Sequence, residues 1–317
     1  MWIVRVVALL WLLLLPASVL AQDQVQEVRV GLFVSTLSNI DFADGSFRIG
    51  ADAWFVHRLD EFDPTKQLEV SARQGQIEPI RQYRLPDGTR YEWVRLQAQV
   101  DHDFTFDRFP FDRQTLRLVI EAVDPVDRLR LVPDVEDTRI GDLVAITGWD
   151  VTGWRLEEGQ VSYDTEFGFP GKELRTYSRI VLTIDVARQR TGMVIDKFLG
   201  FTMAFLVSML IYLMRTDQFG VRVGMAGGAI FAVVGNRTSL DAVLGSDNRL
   251  GLVDQLTVLV FASILTSLIV SLVVFHLKEA GREEVAWRVN RIAGVTALVV
   301  FPLLAAIALG RAHGWES

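Results

Sequence analysis

Four apolar segments crowd the last third of the chain, from about Ile195 to Met214, Val221 to Leu244, Leu252 to Leu277 and Ile292 to Leu309. Each comes close to the ~20 residues that an α-helix needs to cross the hydrocarbon of a bilayer. Lipid offers no water to backbone N–H and C=O groups, so segments of this kind are forced into helices. The expectation is an all-α four-helix transmembrane domain over residues 191–317. Threaded alternately, the segments place Arg215, Arg222, Lys278, Arg282, Arg288 and Arg291 on one side, which the positive-inside rule makes cytoplasmic. The short connection between the third and fourth segments predicts a helical hairpin.

Upstream the pattern changes. Met1 to Ala21 carries Arg5, an apolar run from Val6 to Leu15, Pro16 and then small residues, which reads as a secretory signal peptide over residues 1–21. It places the domain at 22–190 outside the cytoplasm, on an inner or plasma membrane, in agreement with the basic flanks. From Val28 to Ala187 the period is two. Ile180, Leu182, Ile184 and Val186 fall on one face against Arg179, Thr183 and Asp185, and Leu116, Leu118 and Ile120 alternate in the same way. Asp44-Gly45, Asp87-Gly88 and Pro170-Gly171 mark turns. Strands without intervening helices predict an all-β, immunoglobulin-like sandwich. The chain has no cysteine, and a domain of this size buries enough apolar surface to fold without disulfides. This domain carries roughly nine more acidic than basic side chains, enough to make a field that concentrates cations, although an acidic surface that is merely solvated fits equally well.

The second apolar segment contains Gly224, Gly227, Gly228 and Gly235 together with Asn236, Arg237, Thr238, Ser239 and Asp241. Ionisable groups at membrane depth face protein or water. Two readings stay open: a water-lined helix, or a small-residue seam that lets helices pack closely.

One stretch goes further than pattern. His102 to Leu116 reads His-Asp-Phe-Thr-Phe-Asp-Arg-Phe-Pro-Phe-Asp-Arg-Gln-Thr-Leu, and its core, Phe109-Pro110-Phe111-Asp112, resembles the signature loop of the pentameric ligand-gated ion channels, the Cys-loop receptor superfamily. His102 and Leu116 stand where animal members carry the two bridging cysteines, so the chain resembles the bacterial type without the disulfide. Thr147-Gly148-Trp149-Asp150, Tyr177-Ser178-Arg179-Ile180, Ala187-Arg188-Gln189, Arg222 and Val253-Asp254-Gln255 follow in the order that the family shows.

The resemblance implies a homopentamer whose second helix lines a central pore for inorganic ions, gated by an extracellular domain that takes a small ligand or protons. Carried over from Arg222, the pore-lining positions are Gly224, Gly228, Phe231, Gly235 and Thr238, with Phe231 as an apolar ring that stops ions by dewetting. The gating interface is Asp41, Asp44, Phe109, Pro110, Phe111, Asp112 and Arg188, in which Asp112 and Arg188, with Asp41 or Asp44, make a buried ion-pair cluster. Ligand-binding candidates are the aromatics Trp54, Tyr91, Trp93, Tyr163, Phe167 and Phe169. For Trp54, Trp93, Trp149 and Trp154 the first expectation is core packing. Tyr163 and Phe169 stay open between loop packing and ligand contact.

The chain also departs from the family. Gly220 and Val221 stand where cation-selective members carry glutamate, which leaves a slight lean to cations from the acidic field alone. His102 has carboxylates on both sides and histidine titrates near neutrality, so a proton sensor and an ordinary solvated turn are both compatible. The four histidines are scattered, and no nucleophile elbow, phosphate loop or zinc motif is present. No enzyme, metal, cofactor or nucleic-acid reading follows. The alternative is a non-conducting, membrane-anchored binding receptor of the same architecture; a transporter is weaker because four spans show no inverted repeat.

Overall fold

The computed structural model describes residues 25–106, 109–165, 175–189, 191–244 and 251–314. The expected signal peptide, Phe167, Phe169 and the Pro170-Gly171 turn lie outside the described residues.

Ten strands come first: β1 (Gln26–Asp41), β2 (Ser46–His57), β3 (Leu68–Val70), β4 (Gln74–Arg84), β5 (Arg90–Asp101), β6 (Arg113–Pro125), β7 (Leu129–Pro133), β8 (Arg139–Ile140), β9 (Trp149–Ser162) and β10 (Thr176–Arg188). A six-stranded sheet runs β4-β5-β2-β1-β7 with β8 also on β1, and a four-stranded sheet runs β3-β6-β10-β9. Only β7 and β8 lie parallel to their neighbour, β1. The inward residues of both sheets form one core. Val28, Val30, Leu32 and Val34 of β1 meet Leu116, Leu118 and Ile120 of β6 and Ile180, Leu182 and Ile184 of β10 there, all at 2% exposure or less. Register pairs Ile180 with Ile120, Leu182 with Leu118 and Ile184 with Leu116. A slip by one residue would turn this whole row to water. Gly45 and Gly88 turn where the Asp-Gly pairs predict, at φ +63 and +85.

A single helical turn, Pro64–Gln67, interrupts the strands. Asp63 caps it by accepting from the Thr65 N–H, and Pro64 sits where no N–H is needed. It is too short to show a helical period.

Four helices follow: α1 (Thr191–Leu213), α2 (Phe219–Leu244), α3 (Leu252–Glu279) and α4 (Glu283–His313). Phe219–Asp241, Leu252–Glu279 and Glu283–Ala312 are long and apolar enough to cross a membrane, and Phe198–Leu213 is a shorter apolar helix. The protein is a multi-pass membrane protein. α4 begins well before Ile292 because its first turns carry Glu283, Glu284 and Arg288. These residues are helical yet too polar to register as a span.

The bundle closes on polar contacts as well as apolar ones. Ser208 of α1 and Ser263 of α3 share a hydrogen bond of 2.7 Å. Gly200 lets α1 approach Asn236 of α2 so closely that a Cβ there would strike the amide. Arg222 of α2, 1% exposed, points into the bundle. It donates to the Asn290 Oδ1 at 2.9 Å and to the Met214 carbonyl at 2.6 Å, while the Asn290 amide donates to the Tyr212 carbonyl at 2.7 Å. Its guanidinium thus meets one carbonyl just past the end of α1, Asn290 bridges it to a second, and no carboxylate pairs with it among the described residues.

Removing one partner of a buried charge costs more than a neutral hydrogen bond does. Asn290→Ala leaves both the guanidinium and the Tyr212 carbonyl short of a partner. It should destabilise the purified protein by about 3 kcal/mol, read as a lowered thermal midpoint in detergent. An unchanged midpoint would show that the Met214 carbonyl alone suffices.

Candidate functional site

Asp112 ends the Phe-Pro-Phe-Asp loop and Arg188 ends β10, just before α1 begins. Burial leaves each side chain at 2% exposure, and they meet through two nearly parallel bonds, Arg188 Nε to Asp112 Oδ1 at 2.7 Å and Nη2 to Oδ2 at 3.0 Å. The planar fork of arginine matches a carboxylate in this way and lysine would not. The Gln114 amide also donates to Asp112 Oδ2 at 3.2 Å, and to the Thr105 carbonyl at 2.8 Å, which ties the two ends of the loop together.

Aromatic rings enclose the arginine. Its guanidinium carbon lies 4.2 Å from the Trp149 ring centroid, 4.9 Å from Phe42 and 5.0 Å from Phe109. Phe42 comes from the turn between β1 and β2, and it packs edge-on against Phe104 and Phe106. A desolvated cation over an aromatic face gains about 2 kcal/mol, which offsets part of the cost of burying the charge.

This departs from the expected cluster in one respect. Asp41 and Asp44 do not reach Arg188. Asp41 accepts from the Asp44 N–H, and Asp44 pairs with Arg73 at 2.8 Å and accepts from the Ser46 hydroxyl at 2.6 Å. Arg73 also holds Asp101 at 2.6 Å. The turn therefore touches Arg188 with a ring, not a carboxylate. The Ser46 hydroxyl first, and then Arg73, hold the Asp44 carboxyl below the usual carboxylate range, so its contribution to the turn is present above the ordinary value and is lost only as pH falls below it.

The loop continues into the helices. Phe109 is fully buried, stacks on Phe198 at 6.2 Å and packs in one cluster with Phe201, Ala204 and Val253. Phe111 packs with Leu252, Leu256, Ala308 and Ala312. Pro110 and Phe111 roof an apolar cavity of about 350 Å³ whose walls include Phe205, Leu259 and Pro302. One loop thus contacts α1, α3 and α4 at the same end of the bundle.

On α2, the positions carried over from Arg222 share one face. Gly224, Gly228, Phe231, Gly235 and Thr238 are all exposed, Phe231 at 80%, while Arg222, Ala226, Ala229, Val233 and Leu240 pack inward on the opposite side. A Cβ placed on Gly224, Gly228 or Gly235 would meet nothing within 4 Å. Close packing within the subunit therefore does not require these glycines. At the far end Arg237 pairs with Asp241 at 2.9 Å and with Asp254 of α3 at 2.6 Å.

The aromatic candidates separate. Trp54 and Trp93 are register partners on the outer face of the six-stranded sheet, with Tyr91 beside them. The Trp54 indole lies over Gly31 and donates to Asp134 at 3.0 Å. Neither tryptophan is in the core, contrary to the sequence expectation, because both stand on the solvent side of the alternation; Trp149 does sit in the core at 5% exposure. Tyr163 extends from the other sheet, where its hydroxyl donates to Glu121 at 2.9 Å and its ring tilts on Tyr177. His102 is half-buried rather than solvated. Its ring meets the edges of Phe104 and Phe47, and burial pushes its pKa down, partly opposed by Asp103.

No protein-family profile matches the chain. It is 28% identical over 152 residues to the proton-gated ion channel of Gloeobacter violaceus, a match that covers 41% of this chain and 42% of that protein. The chain spans about two fifths of the length of the curated relative it matches. This is kinship with an ion channel, not with an enzyme.

Asp112→Asn and Arg188→Gln should each destabilise the protein by ~3 to 5 kcal/mol, since each strands one buried charge. The double variant, which strands none, should lose less than the sum. Denaturation of the four proteins in detergent reads the cycle, and strict additivity would mean that the two side chains do not act as a pair.

Proposed function

We propose that the chain is a subunit of a homopentameric ligand-gated ion channel: an extracellular immunoglobulin-like sandwich on four membrane spans, with α2 of each subunit lining a central pore. The observation that carries this reading is the outward face of α2. A helix whose opposite side packs the bundle presents glycines, Thr238 and a single large ring to a space that its own subunit leaves empty. Five copies around an axis would bring those faces together, as closed cyclic symmetry requires. Phe231 is then the constriction, narrow and apolar enough to exclude ions by dewetting, and the glycines widen the bore on either side.

Gating in this reading passes through the loop that spans the two domains. A shift of the sandwich moves the Phe42–Arg188–Asp112 contact and with it Phe109 and Phe111 among the ends of α1, α3 and α4. The ligand acts by binding the open arrangement better than the shut one. The relationship to a proton-gated channel favours protons as that ligand. Among the described residues the aromatic candidates build no small-molecule site within one subunit, because Trp54, Tyr91 and Trp93 lie on one sheet and Tyr163 on the other; in a ring, one subunit's tryptophans would face the neighbour's Tyr163 segment. Arg222 turned into the bundle and Arg237 neutralised by two carboxylates leave no free cation among the described residues of the proposed pore face, which favours cation passage.

Native mass spectrometry of the detergent-solubilised protein should give five subunits, and a stable monomer or dimer would remove the pore. Recording from purified protein in bilayers should show unitary currents on acidification; silence in a pentamer would leave the non-conducting receptor. Phe231→Ser should raise the resting conductance by easing wetting of the constriction. Cysteine accessibility checks the register: a residue 231 that is inaccessible in every state, beside a reactive Gly228→Cys, would turn the proposed face away from the axis.

A further inference from the structure

The β2–β5 ladder runs unbroken from the Ser46–Asp101 pair, next to the Phe42 turn, to the His57–Arg90 pair at its other end. That is roughly 35 Å at the ~3.4 Å rise of an antiparallel strand. Two ionisable side chains close the core at this far end, on the inward face where an apolar residue is expected. His57 is 3% exposed and Glu92 is 4% exposed.

Their geometry is that of an incomplete ion pair. His57 Nδ1 accepts from the Leu59 N–H at 3.1 Å, so in the neutral ring the proton sits on Nε2. Nε2 points at Glu92 Oε1 across 3.6 Å, too far for a hydrogen bond, and has no other hydrogen-bond partner among the described residues. Phe62 meets the ring at 4.8 Å and excludes water from one side. Glu92 Oε2 takes one neutral donor, the Gln82 amide of β4, at 3.1 Å.

The charged groups around the pair are already matched with one another. Arg90 of β5 holds Asp60 at 2.6 Å, Lys66 of the helical turn holds Asp63 at 2.8 Å, and Arg58 holds Asp87 at 3.8 Å. Glu61 beside them is exposed, as is Arg84, the register partner of Arg90 on β4. Burial acts most strongly on both groups: on Glu92 it is opposed by the Gln82 amide while Asp63 and Arg90 act in opposite senses, and on His57 Arg90 adds to it. Burial pushes the Glu92 carboxyl up and the His57 imidazole down, each toward the other.

We propose that His57 and Glu92 form a proton-binding site, filled by one shared proton in mild acid, and that its filling is transmitted along the β2–β5 ladder to the Phe42 turn. The empty site holds a buried carboxylate with a single neutral donor. With the proton added on Glu92, as imidazole facing carboxylic acid, the net charge of the site vanishes and the 3.6 Å gap can shorten to a true hydrogen bond, whereas an imidazolium would set its second proton on Nδ1 against the Leu59 N–H. The two residues belong to paired strands, so this draws β2 and β5 together at one end of a ladder whose other end holds the turn. That end is fixed by Arg73 across Asp44 and Asp101 and by the His102 N–H donating to the Gly45 carbonyl at 2.8 Å. The transmission half of the proposal rests on the acid-gated reading; the proton site itself does not. Titration of such a site belongs to the pair, not to either residue.

Two readouts on full-length protein in lipid vesicles test the halves separately. Infrared difference spectra between neutral and mildly acidic buffer should show a carboxylic-acid C=O band that Glu92→Gln lacks and whose midpoint shifts in His57→Asn, a change that keeps an acceptor for the Leu59 N–H. A band unaltered in Glu92→Gln would overturn the site, and should that variant fold poorly, an unmoved midpoint in His57→Asn would do the same. Glutamine mimics the neutral carboxyl, so Glu92→Gln should lower the proton concentration for half-maximal current by roughly tenfold, the equivalent of one pKa unit. Identical activation curves at equal surface expression would overturn the transmission. A wild-type protein that shows the Glu92-dependent band but no acid-evoked current would remove the gating reading and keep the site.

Discussion

The contact between Asp112 and Arg188 is what makes the two halves of this chain one structure. β10 leads directly into α1, so the residue at their junction has to satisfy a β-sheet on one side and an apolar helix on the other. Arg188 does this by burying its charge between a carboxylate and three rings that come from three different places in the chain. Because Asp112 belongs to the same loop as Phe109 and Phe111, fixing the ion pair also fixes how far those rings reach among the helices. A charge buried this completely tolerates few alternative arrangements. The loop is thus stiff where it meets the sandwich and apolar where it meets the bundle, a combination suited to carrying displacement from one to the other.

Within the bundle the same economy governs α2. Its inward side carries the packing residues together with Arg222, whose guanidinium needs the Met214 carbonyl and the Asn290 amide oxygen to be tolerable in an apolar interior. Its outward side has nothing to pack against in the same subunit. Glycine costs helix stability through its backbone freedom, and in the interior of a long helix that cost is usually offset by close approach of a neighbour. Gly200 and Gly294 follow that rule, lying against Asn236 and Tyr212; Gly224, Gly228 and Gly235 do not. The difference between these two sets of glycines separates the packing explanation from the others.

Much of this was legible in the sequence where a period repeats. Alternation along β6 and β10 gave the core face directly, because burial on one side of a sheet writes itself as period two, and the spans gave themselves away by length. What the sequence concealed depends on contacts between distant residues. Nothing in the spacing of Phe42, Phe109 and Trp149 says that they converge on one arginine, and nothing in the spacing of Asp44 and Arg73 says that the sheet brings them together. The start of α4 was hidden for the opposite reason: its first turns are charged, and hydropathy sees only the apolar part of a helix. Glu92 was visible only as a polar break between Tyr91 and Trp93. Read alone it belongs on a solvated face, yet the pleat puts it inside and its aromatic neighbours outside.

Arg188, Arg222 and Glu92 are each buried almost completely, and their surroundings differ in a way that bears on what each can do. Arg188 has a bidentate carboxylate and three rings, so its charge is compensated in every direction; a group held like that is a fixed point. Arg222 has carbonyl and amide oxygens, enough to keep an always-charged guanidinium in place though not to neutralise it, and its role is to hold helix ends together. Glu92 has one amide and an imidazole set just too far away to bond. Of the three it alone can shed its charge at an accessible pH, since arginine stays protonated. An arrangement that is under-satisfied in one protonation state and complete in the other stores a difference in free energy between those states, and only such a difference can bias a conformational equilibrium.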